Sequence, residues 1–198
     1  MKPYREWLPA DWYEATGSLG GSFVSDDIED YYLTPSDLGY GSFVKFDHDF
    51  VGREALEGIA DSARRRKVTL AWNGDDVARA MSTLSEQGDP AKYIDIPLSN
   101  YATWPYDRVL ADDELVGIST FSGYSFNERS FLSLAIVDHD VEIGNEVTLV
   151  WGEEGGGSPR PVVERHRQVE IRAIVSPCPY SSVARTQYAE GWRTKAAV

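Results

Sequence analysis

The histidines are the first residues to test for chemistry, because an imidazole can bind a metal or transfer a proton near neutral pH. Two of the three lie in Asp-His-Asp triplets, Asp47-His48-Asp49 and Asp138-His139-Asp140. These triplets contain metal-ligand types, but successive strand residues face opposite sides, and exposed turns often carry polar runs. No spacing of His and Cys matches a zinc site. The sequence therefore predicts polar turns, and no metal site, at both triplets.

Nucleophiles are equally sparse in this chain. The single cysteine, Cys178, lies between two prolines with no histidine close to it in sequence, and no Gly-x-Ser-x-Gly motif is present. Gly155-Gly156-Gly157 lacks the Lys-Ser/Thr pair and the helix that follow a phosphate-binding loop, so it predicts a hairpin tip. The residues taken by themselves reveal no reaction.

A basic run, Arg64-Arg65-Arg66-Lys67, follows a predicted helix. One interpretation is a stop signal, because cations at the carboxyl end of a helix complement its dipole. The other is an anion-binding site for a ligand that carries a carboxylate. The residues alone leave both interpretations open.

The elements that must position these groups are predicted from periodicity and turn residues. Residues 34–62 indicate a turn, a strand at Phe43-Val44-Lys45-Phe46, a second turn and a helix from Arg53 to about Ser62. A strand at 68–72 and a helix at 76–86 follow. Short strands are then predicted at 107–110, 115–120, 131–137, 146–151 and 163–175, with turns at Asp112-Asp113 and Gly144-Asn145. This spacing is typical of a small antiparallel barrel or sandwich.

Composition restricts the class of protein and its partners. The 198 residues have 42% hydrophobic content, which indicates a globular chain of one domain or two small ones. A net charge of −13 argues against nucleic acid as a partner, because phosphate binding needs clustered basic residues. No apolar run is long enough to cross a membrane, and the amino terminus does not resemble a signal peptide. One cysteine fits a cytoplasmic location.

Large aromatic residues near the amino terminus need a surface to pack against. Trp7, Trp12, Tyr13 and Phe23 lie where a free end is normally polar. Either they fold back on the core or they face a part of the protein outside this sequence. The residues do not decide between these alternatives.

Two blocks resemble the glycine-cleavage T-protein family. The first is TPSDLGYGSFVKFDHDFVGREAL at 34–56, which is similar to the family signature T-P-x-[E/D]-x-G-L-G followed by D-F-[I/V]-G-[R/K]-E-A-L. The second is VGISTFSGYS at 116–125 with LSLAIV at 132–137, similar to a stretch of the family's carboxyl-terminal barrel. The resemblance implies an α+β fold, in which a partial α/β, ferredoxin-like segment precedes a small antiparallel β-barrel. It implies domain ranges of 1–63 for the end of the folate-binding domain, 64–176 for the barrel and 177–198 for a tail packed on the barrel.

Within this family the opening PYREWLPADWYEA and the hairpin VTLVWGEEGGGS look most like the tetrahydrofolate-dependent aryl O-demethylases. Those enzymes move a methyl group from a methoxylated aromatic acid of lignin, such as vanillate or syringate, to tetrahydrofolate. By resemblance, Glu14 matches the carboxylate that binds the pterin and Arg65 the basic residue that contacts the folate tail, with Arg64 and Arg66 as possible substitutes. Tyr4 is the candidate for lining the aromatic substrate, and no residue is assigned as the general acid.

Family members carry a long folate-binding domain before the equivalent of Tyr4. We therefore expect this sequence to be the carboxyl-terminal portion of such an enzyme, inactive without that domain, with the domain or a second copy as a possible partner. One alternative is a non-catalytic barrel that binds folate or a protein. Another is a portion of an aminomethyltransferase.

Overall fold

The computed structural model describes residues 19–60, 65–98, 104–157 and 163–187. The strands are β1 (Leu19–Gly20), β2 (Arg65–Trp72), β3 (Trp104–Pro105), β4 (Asp107–Ala111), β5 (Glu114–Ser125), β6 (Ser130–Asp138), β7 (Glu146–Trp151) and β8 (Val169–Ser176). The α-helices are α1 (Arg53–Ala60), α2 (Gly74–Ser82) and α3 (Ser182–Arg185), and 3-10 turns lie at Ile28–Tyr31, Gly41–Phe43 and Thr83–Ser85.

Six of these strands form a closed antiparallel barrel in the order β2-β6-β5-β4-β7-β8, while β1 and β3 form a separate parallel pair. The predicted α+β fold with a small antiparallel barrel is confirmed. Closure depends on β2, which pairs with β6 along most of its length and with β8 from Thr69 to Trp72. All the barrel strands are thereby hydrogen-bonded on both sides, which removes exposed sheet edges.

The barrel interior is filled by every second side chain of its strands. In β8, Ile171, Ala173 and Val175 are buried, while the residues between them are exposed on the outer face. The alternation in the sequence predicts this pattern. Trp72 and Trp151 meet edge to face inside, with ring centroids 5.4 Å apart. This interior is the main apolar core of the described chain.

Two details of the β4–β5–β6 sheet matter for the surfaces described below. Asp112 and Asp113 form the predicted β4–β5 turn, and both adopt left-handed backbone with φ of 49° and 66°. A β-bulge between Ser119 and Phe121 shifts the pairing of β5 with β6. As a result Ser122 is buried, whereas Phe121 lies on the outer face with 47% of its surface exposed.

A second, smaller cluster covers the outside of the barrel. Tyr106, Ile118 and Ile136 are buried there, and Phe23, Tyr31 and Leu33 of the preceding segment pack against them. Phe23 thus folds back onto the barrel, one of the two alternatives for the aromatic residues near the amino terminus. Trp7, Trp12 and Tyr13 lie outside the described residues.

Two strand predictions were wrong, and the helix predictions were better. Residues 43–46 form no strand, because the chain makes a 3-10 turn at Gly41–Phe43 and no neighbouring strand pairs with it in the described chain. The last strand begins at Val169 and not at Val163, because His166 packs into a loop instead of pairing. Helix α1 is confirmed over the described residues, and α2 is confirmed with Asn73 as its amino-terminal cap. No helix in the described ranges has the length and apolar character needed to cross a membrane.

Candidate functional site

Arg65 begins strand β2 and is held by a turn of the signature sequence. Its Nη2 lies 2.8 Å from Oδ2 of Asp37 and donates a longer bond of 3.4 Å to the Tyr32 carbonyl. Asp37 is buried, and its Oδ2 also accepts a hydrogen bond from the Thr34 amide at 2.9 Å. The Thr34 hydroxyl accepts one from the Asp37 amide in return. The T-P-S-D motif is therefore a closed local turn, and Arg65 fixes it to the barrel.

Two surface depressions lie on either side of Arg65. The acidic depression has a volume of about 380 Å³ and is lined by Phe23, Glu29, Asp30, Arg65, Leu115, Val116, Gly117, Ile118 and Asp138. The cationic depression has a volume of about 560 Å³ and is lined by Ser36, Leu38, Gly39, Tyr40, Gly41, Ser42, Arg65, Arg66, Lys67, His139, Cys178 and Pro179. Because the Arg65 side chain is 31% exposed, part of it remains accessible to a ligand.

Asp138 is the carboxylate opposite Arg65. The register of β2 and β6 pairs the two residues, which places both side chains on the outer face of the barrel. Burial and the charge of Asp140 raise the pKa of Asp138, and the Arg65 charge opposes that rise. A carboxyl group that keeps its proton to higher pH beside an arginine is suited to proton donation and to binding a polar ligand.

The prediction from sequence missed Asp138, because it interpreted the Asp138-His139-Asp140 triplet as an exposed turn. The triplet does mark the end of β6, but the register with Arg65 depends on pairing between distant strands. At the other triplet, His48 lies exposed with its Nδ1 2.7 Å from Asp47 Oδ1. No group of three metal-ligating side chains occurs within the described ranges.

The neighbouring groups of the basic run have different environments. Lys67 points outward like Arg65, and its Nζ lies 5.9 Å from the centre of the Tyr40 ring. Arg66 alternates to the other face and donates a hydrogen bond from its Nη2 to the Val141 carbonyl. Arg66 is thus not equivalent to Arg65, and Arg64 lies outside the described residues. Glu14 and Tyr4, the other two predicted site residues, also lie outside them.

A third depression, the apolar depression, lies on the outer face beside the cationic one. Its volume is about 370 Å³, and it is lined by Thr69, Leu98, Phe121, Gly123, Tyr124, Ser125, Leu132, Ser133, Leu134, Cys178, Pro179 and Tyr180. The cationic and apolar depressions share Cys178 and Pro179 in their walls. A polar and an apolar surface are therefore adjacent along β2.

A buried ionic cluster on the barrel is a feature that sequence inspection did not detect. Lys92 Nζ lies 2.7 Å from Glu153 Oε1, and His166 Nε2 lies 3.2 Å from Glu153 Oε2. His166 accepts a hydrogen bond from the Glu153 amide, and Glu153 accepts one from the Gly21 amide. Burial lowers the pKa of Lys92. Burial also acts to raise the pKa of Glu153, but the charge and hydrogen bond of Lys92 outweigh it, and that pKa is lowered.

The glycine loop fits closely around this cluster. Gly152 has φ of 105°, and a Cβ there would lie 2.9 Å from His166 Cδ2. At Gly156 a Cβ would lie 2.8 Å from the His166 carbonyl oxygen. These glycines allow the loop to enclose His166. The cluster joins the loop, Lys92 and the start of the described chain, and we assign it a structural role.

Comparison with known proteins gives the family context for this geometry. The chain is 50% identical over 195 residues to syringate O-demethylase of Sphingobium sp., which covers 98% of this chain and 42% of that protein. It is 36% identical over 169 residues to sesamin methylene transferase of Sinomonas sp., covering 79% of this chain and 35% of that protein. The resemblance to the T-protein and O-demethylase family is confirmed.

A third relative is an aminomethyltransferase of Thermotoga sp., 27% identical over 138 residues, covering 70% of this chain and 30% of that protein. The chain therefore spans less than half the length of each of these curated relatives. No protein-family model matches it. All three relatives are named for the transfer or removal of a one-carbon unit, which is the chemistry shared across the comparison.

Proposed function

We propose that this chain forms the carboxyl-terminal portion of a tetrahydrofolate-dependent O-demethylase that moves a methyl group from a methoxylated aromatic acid. The observation that carries the proposal is the 50% identity to syringate O-demethylase across nearly all of this chain. In the reaction the bond between the methyl carbon and the ether oxygen breaks, the methyl group passes to a nitrogen of tetrahydrofolate, that nitrogen gives up its proton, and the phenolate oxygen takes up a proton. Tetrahydrofolate, when bound, supplies the nitrogen that accepts the methyl group.

The residues around Arg65 suit the role of a ligand-binding wall. Arg65 lines both depressions with a side chain that is 31% exposed, and a guanidinium is well matched to a carboxylate. A folate tail ends in carboxylates, so we propose that Arg65 contacts that tail. Its bond to Asp37 holds the guanidinium in position before the ligand arrives, which lowers the entropy cost of binding.

Two further residues belong to the proposal by resemblance. Glu14 binds the amide and amino edge of the pterin, and Tyr4 lines the aromatic substrate. We further propose that residues 1–63 end a folate-binding domain, that 64–176 form the barrel domain and that 177–198 pack on the barrel. The remainder of the pocket is then supplied by a domain equivalent to the rest of the relatives' length, and the enzyme works in the cytoplasm on aromatic acids released from lignin.

The first test is calorimetric titration of the purified chain with tetrahydrofolate under anaerobic conditions. Glu14→Gln and Arg65→Lys are compared with Glu154→Gln, a substitution at an exposed residue where the glycine loop begins. We expect saturable binding that weakens roughly ten-fold in the first two variants, the cost of a charge-assisted hydrogen bond, and not in the third. Absence of binding at millimolar tetrahydrofolate would rule out a folate site within this chain alone.

The second test restores the part of the pocket that the proposal places elsewhere. The chain is mixed with the remaining portion of syringate O-demethylase, and methyl transfer from syringate is followed as 5-methyltetrahydrofolate. We expect activity from the mixture and none from either part. Activity that is unchanged when this chain is omitted would contradict the proposal.

A second candidate is a non-catalytic barrel that binds a protein or a second copy of itself. The observation that favours it is the exposure of large apolar side chains in one segment, where Phe43 is 77% exposed and Val51 fully so. Light scattering of the purified chain tests this reading. A stable dimer that dissociates in the Phe43→Ser variant, together with no binding of folate, would favour the non-catalytic barrel over the O-demethylase.

A further inference from the structure

The cationic depression differs in charge from the rest of the molecule. The chain carries a net charge of −13, yet none of the residues that line this depression is acidic. Arg65 is paired with Asp37, but Lys67 takes part in no ion pair within the described residues. His139 lies at the same wall, between Asp138 and Asp140 in sequence. A local reversal of charge in an acidic protein attracts an anion.

The loop above Lys67 is fixed in place by its own hydrogen bonds. The Tyr40 amide donates to the Pro35 carbonyl at 2.7 Å, and Gly39 turns the chain with φ of 78°. A Cβ on Gly39 would lie 3.5 Å from Lys67 Cδ, so the loop rests on the lysine stem. Tyr40 is 56% exposed, and the centre of its ring lies 5.9 Å from Lys67 Nζ. An aromatic ring and a cation therefore meet at one edge of the depression.

Arg66 contributes an independent observation. Its Nε is buried and has no hydrogen-bond partner within the described residues, although its Nη2 is bonded to the Val141 carbonyl. A buried donor without an acceptor is costly and uncommon in native proteins. Arg66 also lines the cationic depression, so its guanidinium adds to the positive charge beside that surface, while the buried Nε itself is out of a ligand's reach.

We infer that the cationic depression binds the carboxylate of an aromatic ligand, with Lys67 and His139 facing the carboxylate and Tyr40 facing the ring. The adjoining apolar depression, which shares Cys178 and Pro179, offers surface for the body of the ligand. The identity of the ligand rests on the proposed function. Two molecules in that reaction have this chemistry: the methoxylated benzoate and the p-aminobenzoyl-glutamate part of the folate.

The experiment titrates the full chain with three probes and follows binding by calorimetry. Syringate and p-aminobenzoyl-glutamate each carry an aromatic ring with a carboxylate, and tetrahydropterin carries the pterin without one. The variants are Lys67→Gln, His139→Gln and Tyr40→Leu, with Lys45→Gln as the matched control because Lys45 is exposed and does not line the depression. Thermal unfolding of every variant shows that it is folded.

We expect Lys67→Gln to weaken one carboxylate probe roughly ten-fold, His139→Gln and Tyr40→Leu to weaken it less, and Lys45→Gln to leave it unchanged. The probe that responds identifies the source of the carboxylate. If neither carboxylate probe binds, or if Lys67→Gln affects neither, the inference is overturned. If the inference is overturned but tetrahydropterin still binds, and Glu14→Gln weakens that binding, the proposed function is still supported. Conversely, Lys67-dependent binding of a carboxylate probe supports the inference even if tetrahydropterin does not bind.

Discussion

Leu70, Leu149 and Ile171 inside the barrel have no exposed surface, whereas Phe43 and Val51 in the preceding segment expose most of theirs. The barrel is closed by hydrogen bonds on every strand, while residues 34–60 are attached mainly through Asp37 and Arg65 in the described chain. This difference in burial indicates that the barrel obtains its stability from its own apolar interior. The segment is shaped by local turns and by ion pairs of its own around Arg53, and the Asp37–Arg65 pair joins it to the barrel, while large apolar side chains such as Phe43 stay exposed.

The largest expected effect separates these two regions directly. Leu70→Ala removes a completely buried side chain between β6 and β8, and we expect a loss of about 3–4 kcal/mol in the free energy of unfolding. Phe43→Ala removes more atoms from a 77% exposed position and should change that free energy by less than about 0.5 kcal/mol. Urea denaturation of both variants measures the contrast. Equal losses would mean that the segment is packed as tightly as the core.

Removing Glu153 measures how much the buried ionic cluster contributes to the stability of the barrel. Glu153→Ala removes the carboxylate 2.7 Å from the buried Lys92 Nζ, and we expect a loss of about 3 kcal/mol because the buried ammonium loses one of the carboxylates that balance its charge. Glu154→Ala, next in sequence and exposed, is the matched control. Chemical denaturation at neutral pH gives both values. If Glu153→Ala lowers the free energy of unfolding no more than Glu154→Ala does, Glu153 contributes little to the stability of the barrel.

A smaller effect is expected from the ion pair that fixes α2 to β8. Asp76 accepts hydrogen bonds from Arg172 Nε at 2.8 Å and Nη2 at 3.0 Å, and these bonds lower the pKa of Asp76 from 3.8 to about 2. Because the folded pKa lies below the unfolded value, the contribution is present above pH 4 and is lost as the pH falls toward 2. We expect it to amount to about 1–2 kcal/mol.

The measurement for Asp76 is the free energy of unfolding between pH 5 and pH 2. The curve of Asp76→Asn should be flatter than that of the wild type over this interval, while Asp75→Asn, an exposed neighbour, should follow the wild type. Parallel curves for Asp76→Asn and the wild type would show that the Arg172 bonds do not stabilise the charged carboxylate.

The smallest effect concerns the attachment of the segment itself. Arg65→Ala leaves the buried Asp37 without its cation, and we expect a loss of about 1 kcal/mol in global stability. Amide hydrogen exchange should rise in residues 34–60 and remain slow in β6 and β8. Arg167→Ala, an exposed arginine outside the segment, is the control. Equal increases in the barrel would mean that the segment and the barrel unfold as one unit.

Much of the barrel could be predicted from the sequence, because its signals are local. The two-residue alternation of β8, the Asp112-Asp113 turn and the boundaries of β7 were all readable from neighbouring residues. The strand predicted at Phe43-Val44-Lys45-Phe46 failed for a physical reason. Its composition suits a pleated surface, but a strand needs a partner, and the described chain offers none there.

The candidate site was less accessible to prediction, because its geometry depends on distant pairings. Arg65 was identified by resemblance, yet its bond to Asp37 and its position opposite Asp138 follow from the turn geometry and the β2–β6 register. Counting every second residue from Ile118 would place Ser122 outside and Phe121 inside. The bulge after Ser119 reverses this, and nothing in the local sequence marks it.

The pairing of β2 with β8 also sets an order of events during synthesis. These strands begin at residues 65 and 169, so the barrel cannot close until the ribosome has delivered almost the whole described chain. Before that moment β2 and β7 each present an unpaired edge, which can associate with other strands. The barrel therefore depends on β8 for protection as well as for stability, and a chain interrupted before Val169 is expected to aggregate rather than to remain as a smaller folded domain.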